Sequence, residues 1–302
     1  MSLIENYRKL LDRNNKVLSI SHKDMDGAVS TIVVQNVFKN VSFKYLKYGD
    51  VDKYLHSINY DDYDLVLLTD ISPEEEESLG LSEKIFLLDH HGTAEKFHNP
   101  NKNRIVIPGN SAATLAKRFF ENFFKIDLSY LNRLCELTDD YDMFVLKYPE
   151  SWALNELYFY YYEESFRNRF KNGNMKFSED ELNYVKTRKK LFNDIYNNLN
   201  VYESDRIKMC SFVENRFVND ICHKLMHEEG YDVTICINSK SKTCSVRTKR
   251  DDVNLGSILK ELLGGGGHMK AGAFRHDPNE EISIKIDALE NYLYKNNKEI
   301  RK

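Results

Sequence analysis

One stretch limits the folds open to this chain. Lys84-Ile85-Phe86-Leu87-Leu88 is an apolar run that stops abruptly at Asp89-His90-His91-Gly92. A short apolar run bounded by polar residues reads as a buried strand. Side chains just past the carboxyl end of such a strand face the crevice where open α/β sheets bind ligands. An acid and two imidazoles at that position point to chemistry rather than to packing.

The flanking sequence repeats the arrangement. Lys16-Val17-Leu18-Ser19-Ile20 is the expected first strand and runs into Ser21-His22-Lys23-Asp24-Met25-Asp26-Gly27. Ala28, Ile32, Val33, Val37 and Phe38 follow at helical spacing. Residues 42–48 predict a second strand and 50–58 a helix. Leu65-Val66-Leu67-Leu68 predicts a third strand, ending at Thr69-Asp70, and acids open an expected helix over 74–79. Strands alternating with helices imply a parallel sheet with right-handed crossovers. Helices are expected over 111–124, capped by Ser111 or Asn110, and over 128–137, the latter ending at Thr138-Asp139-Asp140-Tyr141-Asp142. Residues 151–199 read as helical and rich in aromatics. Strands over 209–213, 233–238 and 243–248, then a helix over 255–262, lead into Gly264-Gly265-Gly266-Gly267-His268. The expected fold class is α/β: a parallel-sheet first domain over 1–150 with helices on both faces, a helical connector over 151–204, and a smaller α/β domain over 205–302.

Composition narrows the function classes. Hydrophobic residues make up 41% and charged residues 30% of the 302, which fits a globular protein. No apolar run approaches the roughly 18 residues of a membrane span, so no membrane partner is expected. The first ten residues lack the apolar centre of an export signal, and five cysteines form no CxxC pair, so reduced thiols in the cytoplasm are expected. A net charge of −4 creates no field that would draw in long duplex nucleic acid. It leaves room for a small anionic substrate in a local basic pocket.

Four segments place acids or imidazoles at element ends: His22/Asp24/Asp26, Asp70, Asp89/His90/His91 and Asp139/Asp140/Asp142. Any one of these acids alone reads as a helix cap or a turn residue. Three of the four segments directly follow strand candidates, so their side chains should converge at one sheet edge. Clustered carboxylates repel one another unless cations sit among them. Mixed carboxylate and imidazole ligands suit Mn²⁺, and Mg²⁺, Fe²⁺ or Zn²⁺ are also compatible. Two ions about 3.5–4 Å apart could share a carboxylate and clamp a phosphoryl group.

These motifs together resemble the DHH phosphoesterase superfamily. The first motif is Ser21-His22-Lys23-Asp24-Met25-Asp26-Gly27, the second Asp70, the third Asp89-His90-His91. Gly265-Gly266-Gly267-His268-Met269-Lys270-Ala271 resembles the associated DHHA1 domain. Within the superfamily the chain looks most like the oligoribonucleases that degrade nanoRNA, particularly the NrnB-like branch. Its cues are the SHxDxDG form, Leu88-Asp89-His90-His91-Gly92-Thr93-Ala94, Ser111-Ala112-Ala113-Thr114-Leu115 and Tyr141-Asp142-Met143-Phe144. The chain departs from the family in two places: one residue separates His22 from Asp24 where one branch has three, and Ala271-Gly272-Ala273 replaces Ala-Ala-Gly.

The resemblance implies two divalent cations, Mn²⁺ first. His22 and Asp24 would hold one, Asp26 and His90 the other, and Asp70 would bridge. The fourth acid would be Asp142, with Asp139 and Asp140 as alternatives. Asp89 would orient His90 from behind, and His91 would lie near the scissile phosphate. Gly265, Gly266, Gly267 and His268 would offer donors to a phosphate, with Lys270 and Arg275 nearby, and Arg247 would clamp a phosphate or stack on a base. The implied activity is hydrolysis of short oligoribonucleotides to nucleoside monophosphates. Alternatives are a 3′-phosphoadenosine-5′-phosphate phosphatase, a cyclic- or linear-dinucleotide phosphodiesterase, and a non-catalytic nucleotide-binding module. The sequence leaves room for a homodimer.

Overall fold

The computed structural model describes residues 3–95, 97, 103–267, 269–276 and 281–296. Two compact units divide the chain, Met1–Arg188 and Lys189–Lys302.

In the first unit the elements run α1 (Leu3–Leu10), β1 (Lys16–His22), α2 (Met25–Val37), β2 (Asn40–Leu46), α3 (Val51–Ser57), β3 (Leu65–Thr69), β4 (Ile85–Asp89), α4 (Gly92–Glu95), β5 (Arg104–Val106), α5 (Ala112–Phe124), α6 (Asn132–Asp142) and α7 (Pro149–Phe170). The helix α8 (Glu179–Asn197) crosses the division. The strands form a parallel sheet in the order β2-β1-β3-β4-β5. Register aligns their carboxyl ends: Ser21 pairs with Thr69, Thr69 with Leu88, and Asp89 with Val106.

Both sheet faces are covered, so the strands read as nearly unbroken apolar runs. Alternate residues divide between two cores, as the two-residue strand period requires. Leu65, Leu67, Phe86 and Leu88 enter the core that includes residues of α2, α5, α6 and α7. Val66, Leu68, Ile85 and Leu87 enter the one that includes Val51 and Leu55 of α3. The expected helices on both faces are therefore present.

Three local expectations change. Residues 76–80 form a 3₁₀ turn, Glu76–Gly80, rather than the expected α-helix over 74–79; Asp52 accepts hydrogen bonds from the Glu74 amide (2.9 Å) and the Ser78 hydroxyl (2.6 Å) across this segment. The helix expected over 128–137 begins as a 3₁₀ turn at Ser129–Leu131 and continues as α6 to Asp142, so Asp139, Asp140 and Asp142 belong to its last turns rather than to a loop after it. The region expected as a connector is split: α7 lies within the first unit, while α8 spans the division.

The second unit carries β6 (Val201–Glu203), β7 (Met209–Val213), α9 (Val218–His227), β8 (Val233–Asn238), β9 (Thr243–Thr248), α10 (Leu255–Leu263), β10 (Gly266–Gly267), β11 (Ala271–Arg275) and α11 (Ile282–Lys295). Its sheet order is β10-β11-β9-β8-β7-β6, parallel only between β7 and β8. The α9 and α11 helices were not assigned from the sequence.

The entry to α2 depends on Gly27. Asp24 caps the helix by accepting the Gly27 amide at 2.9 Å, which folds the helix start back over the end of β1. A Cβ on Gly27 would lie 2.1 Å from the His22 carbonyl oxygen. Overpacking against backbone costs about 1–3 kcal/mol, more than the roughly 1 kcal/mol that alanine gains over glycine in a helix. Gly27→Ala should therefore lower the midpoint of urea unfolding. A variant as stable as the parent would show that this close approach does not exist in solution.

Candidate metal centre

The centre is assembled from the ends of neighbouring strands. β1 delivers His22, with Asp24 and Asp26 on the turn into α2. β3 delivers Asp70, β4 delivers Asp89, His90 and His91, and the last turn of α6 adds Asp142. Asp70 has φ 60°, the left-handed region, which an aspartate adopts only against a penalty of about 1–3 kcal/mol. Its amide still bonds the Leu88 carbonyl at 3.2 Å. The backbone is thus held in a disfavoured conformation at the residue on which the acidic groups converge.

Three groups of potential ligand atoms lie within 4.8 Å of one another: His22/Asp24/Asp70, Asp26/His90/Asp142, and Asp70/Asp89/His90/His91. His22 Nδ1 is 2.5 Å from Asp24 Oδ2. His90 Nε2 is 3.3 Å from Asp70 Oδ1, 3.7 Å from Asp142 Oδ2 and 3.8 Å from Asp26 Oδ2. Asp70 belongs to one triad and stands beside the other.

The three acids at the end of α6 separate by use. Asp139 accepts the Ser111 amide at 2.6 Å. Asp140 accepts the Lys147 and Tyr148 amides at 2.8 and 3.1 Å. Asp142 alone of the three is grouped with Asp26 and His90. Asp26 also serves a helix: its two oxygens accept the Ala112 and Ala113 amides at 2.7 and 2.9 Å, the first free donors of α5.

Asp89 corrects an expectation. Its Oδ1 accepts the amides of His90 and His91, and also His91 Nδ1 at 2.7 Å. The ring it orients is that of His91, not His90. The carboxylate is turned under the two residues that follow the end of β4, taking both of their amides as well as the His91 ring.

The electrostatics call for cations. Burial, and then the charge of Asp24, pushes Asp26 up to about 7. Burial followed by neighbouring carboxylates raises Asp70 and Asp142 well above the usual range. Burial and the charge of His91 push His90 down to about 4, leaving a neutral imidazole with a lone pair to give. Burial would raise Asp24 and Asp89, but their bonds to His22 and His91 outweigh it and hold both low. Asp70 Oδ2, Asp89 Oδ2, Asp142 Oδ2 and His90 Nε2 are buried without a hydrogen-bond partner among the described residues. Native interiors rarely leave such atoms unpaired, and four at one place fit a site for divalent ions. The oxygen-and-imidazole donor set suits Mn²⁺, Mg²⁺, Fe²⁺ or Zn²⁺.

Tyr48 joins the centre without lying in any of the four acidic segments. Its hydroxyl is 2.8 Å from His91 Nε2, and its ring tilts over His22 at 4.5 Å between centroids. Burial and the surrounding carboxylates raise its pKa, so it stays a phenol. A signal existed, because Tyr48 follows the carboxyl end of β2 just as the other groups follow theirs.

In the second unit, Arg247 on β9 donates to the Val246 and Gly272 carbonyls (2.9 and 3.4 Å) and to Asn219 Oδ1 (2.8 Å). Lys270 is bonded to Asp251 at 2.8 Å and to the Lys249 carbonyl at 3.2 Å. The glycine run is not an open loop. Gly266 and Gly267 pair with Ala273 and Gly272 as β10, and a Cβ on Gly265 or Gly267 would fall 2.3 or 2.4 Å from backbone atoms of β11. His268 lies outside the described residues.

Residues 16–138 match the DHH family, N-terminal domain. No curated protein matches the sequence. Solved structures share the fold. A pGpG-specific phosphodiesterase, PggH, from Vibrio cholerae is 16% identical with a TM-score of 0.57, over 93% of this chain and 98% of that one. An exopolyphosphatase-related protein from Bacteroides fragilis is 15% identical with a TM-score of 0.58, over 97% and 96%. RecJ from Thermus thermophilus, in complex with Mn²⁺, is 12% identical with a TM-score of 0.60, over 97% of this chain and 55% of that one. The family match covers residues 16–138, and the solved structures share the fold of the chain.

The raised carboxyls fix the sign of a pH effect. A native group that binds its proton more tightly than the unfolded chain loses its contribution to stability as pH rises through the native pKa. Asp26, Asp70, Asp142 and the raised His91 all act in this sense. The depressed His90 opposes them only below its ordinary 6.5. In chelator, the melting temperature should therefore fall as pH rises through about 7, the value for Asp26, and Mn²⁺ should raise it most on the alkaline side of that pH. Scanning calorimetry showing the same profile with and without Mn²⁺ would contradict the charge arrangement described.

Proposed function

We propose that this chain is a divalent-metal-dependent phosphodiesterase that hydrolyses short oligoribonucleotides to nucleoside monophosphates. The observation that carries the reading is the pair of ligand triads meeting at Asp70, with three buried polar atoms, Asp70 Oδ2, Asp142 Oδ2 and His90 Nε2, unpaired among them. His22, Asp24 and Asp70 would hold one ion, and Asp26, His90 and Asp142 the other. Two such ions would polarise a phosphoryl group and supply a nucleophilic water at neutral pH. Asp89 holds His91 by Nδ1 and the Tyr48 hydroxyl stands 2.8 Å from its Nε2, so a phosphate oxygen would meet this ring by taking the phenol's place at Nε2.

The Ala112 and Ala113 amides keep both oxygens of Asp26 in a set orientation, so the ligand is placed before anything binds. Lys23, between His22 and Asp24, is an exposed cation paired with Glu163 at 3.2 Å and available to an anionic substrate by exchange. Arg247, Gly265 and the strand Gly266–Gly267 are the second unit's candidates for gripping a nucleotide. The five cysteines are free and buried, which suits a reducing cytoplasm. Among the described residues no helix is long and apolar enough to cross a membrane.

A second reading is favoured by one comparison. The Vibrio cholerae protein, similar over almost its whole length, is described as specific for pGpG, a linear dinucleotide. A dinucleotide is the short limit of the same substrate class, so the two readings share their chemistry and differ in length preference.

Asp70→Asn, an isosteric change that tolerates the left-handed backbone, and His90→Ala should each reduce Mn²⁺-dependent hydrolysis by about a thousandfold or more, the scale of losing a principal electrostatic contribution. The assay is a time course with labelled two- to seven-nucleotide RNAs, pGpG and bis-phosphorylated adenosine, with Mn²⁺ and with chelator. Full activity in both variants would refute the metal assignment, and turnover of bis-phosphorylated adenosine alone would move the enzyme to a phosphatase.

A further inference from the structure

His91 is held at both nitrogens. Asp89 Oδ1 takes the Nδ1 side at 2.7 Å, and the Tyr48 hydroxyl stands 2.8 Å from Nε2. A carboxylate can only accept, so the hydrogen of the neutral ring sits on Nδ1 and the lone pair on Nε2 faces the phenol. Rotation of the imidazole about its Cβ–Cγ bond would break both contacts. The Tyr48 ring meets the His91 ring nearly edge-on, 5.6 Å between centroids at 80°, and lies over His22 at 4.5 Å. One side chain thus touches two imidazoles delivered by two different strands.

Core packing does not account for Tyr48. The residue is 41% exposed, among the exposed large hydrophobic side chains, yet its hydroxyl points inward to the acidic centre. The next residue, Gly49, has φ 79°, so the chain turns sharply just after the ring is set. Asp52, two residues into the following segment, ties this corner to Glu74 and Ser78 through its carboxylate. The loop is therefore braced at its far end, and the ring stands at the rim of the centre on a fixed support.

We propose that Tyr48 is a positioning residue of the metal centre: with Asp89 it fixes the orientation and tautomer of His91, and its ring braces His22. The catalytic consequence rests on the reading that His91 meets the substrate phosphate; the contact itself does not. Tyr48→Phe keeps the ring over His22 and removes only the hydroxyl. Tyr48→Ala removes both.

The test has two independent arms. In metal-free ¹⁵N-labelled protein, long-range proton–nitrogen spectra report the His91 tautomer. In Tyr48→Phe the His91 Nε2 resonance should move while the His22 resonances stay near their wild-type positions; in Tyr48→Ala both should move. In the Mn²⁺-loaded enzyme with a linear dinucleotide, Tyr48→Phe should keep KM and Mn²⁺ affinity within about threefold and lose about 10–100-fold in kcat, the range seen when a group that orients an active-site side chain is removed. Tyr48→Ala should also weaken Mn²⁺ binding, measured by calorimetry. Unchanged His91 resonances in Tyr48→Phe, or kcat within twofold of wild type, would overturn the proposal. If the wild-type protein turns over no phosphodiester, the functional reading fails, and the spectra alone then decide whether Tyr48 holds His91.

Discussion

Repulsion among carboxylates withdrawn from water is the constraint that the rest of the first unit answers to. Asp26, Asp70 and Asp89 are all nearly or fully buried at one sheet edge, with Asp142 partly buried beside them. Unpaired buried charges of one sign are strongly destabilising. The fold absorbs part of this with backbone donors: Asp26 takes two amides from α5, and Asp89 takes two amides and an imidazole. The remainder is left at Asp70 and Asp142, where protons are held tightly and oxygens stay unpaired. A site with that residue of negative potential is built for cations.

The sheet supplies the rigidity this requires. Because apolar side chains cover both faces, β1, β3 and β4 cannot slip in register without exchanging their two cores. Strand register then fixes the spacing of His22, Asp70 and His90 to within one side chain's reach. Capping does the same for the helices. Asp24 starts α2, and Asp26 satisfies the first amides of α5, so two acids of the centre are also structural stops for two helices. Loss of either would disturb both the ligand set and the local fold, and kinetic and stability effects there need to be separated.

The adjacent imidazoles His90 and His91 show how position assigns role. His90 faces three carboxylate oxygens at 3.3–3.8 Å and is kept neutral by burial. Burial would lower His91 as well, but its bond to Asp89 raises it instead. The two rings lie 4.3 Å apart between centroids, just past the end of β4, and what separates their roles is the partner each one meets. The family resemblance implied a pairing of Asp89 with His90, and the three-dimensional arrangement pairs it with His91.

The elements that local pattern dictates were legible from residues alone. β7, β8 and β9 fall on the expected residues because apolar runs bounded by turn residues are a local signal. The spacing of Ile221, Cys222, Leu225 and Met226 in α9, and of Ile282, Ile286, Leu289 and Leu293 in α11, carried the same kind of signal and was passed over. The convergence of three of the four segments on one edge was also readable, since residues after parallel strands share a crevice. What only the tertiary structure decided were choices that depend on phase and on distant partners. α6 runs on to Asp142, and that extension turns Asp139 to the Ser111 amide, Asp140 to Lys147 and Tyr148, and Asp142 to His90. The glycine run became a strand because β11 lies close enough to exclude a Cβ. Composition and periodicity report what a segment prefers by itself, whereas the direction of each carboxylate is set by which donor, from elsewhere in the chain, arrives beside it.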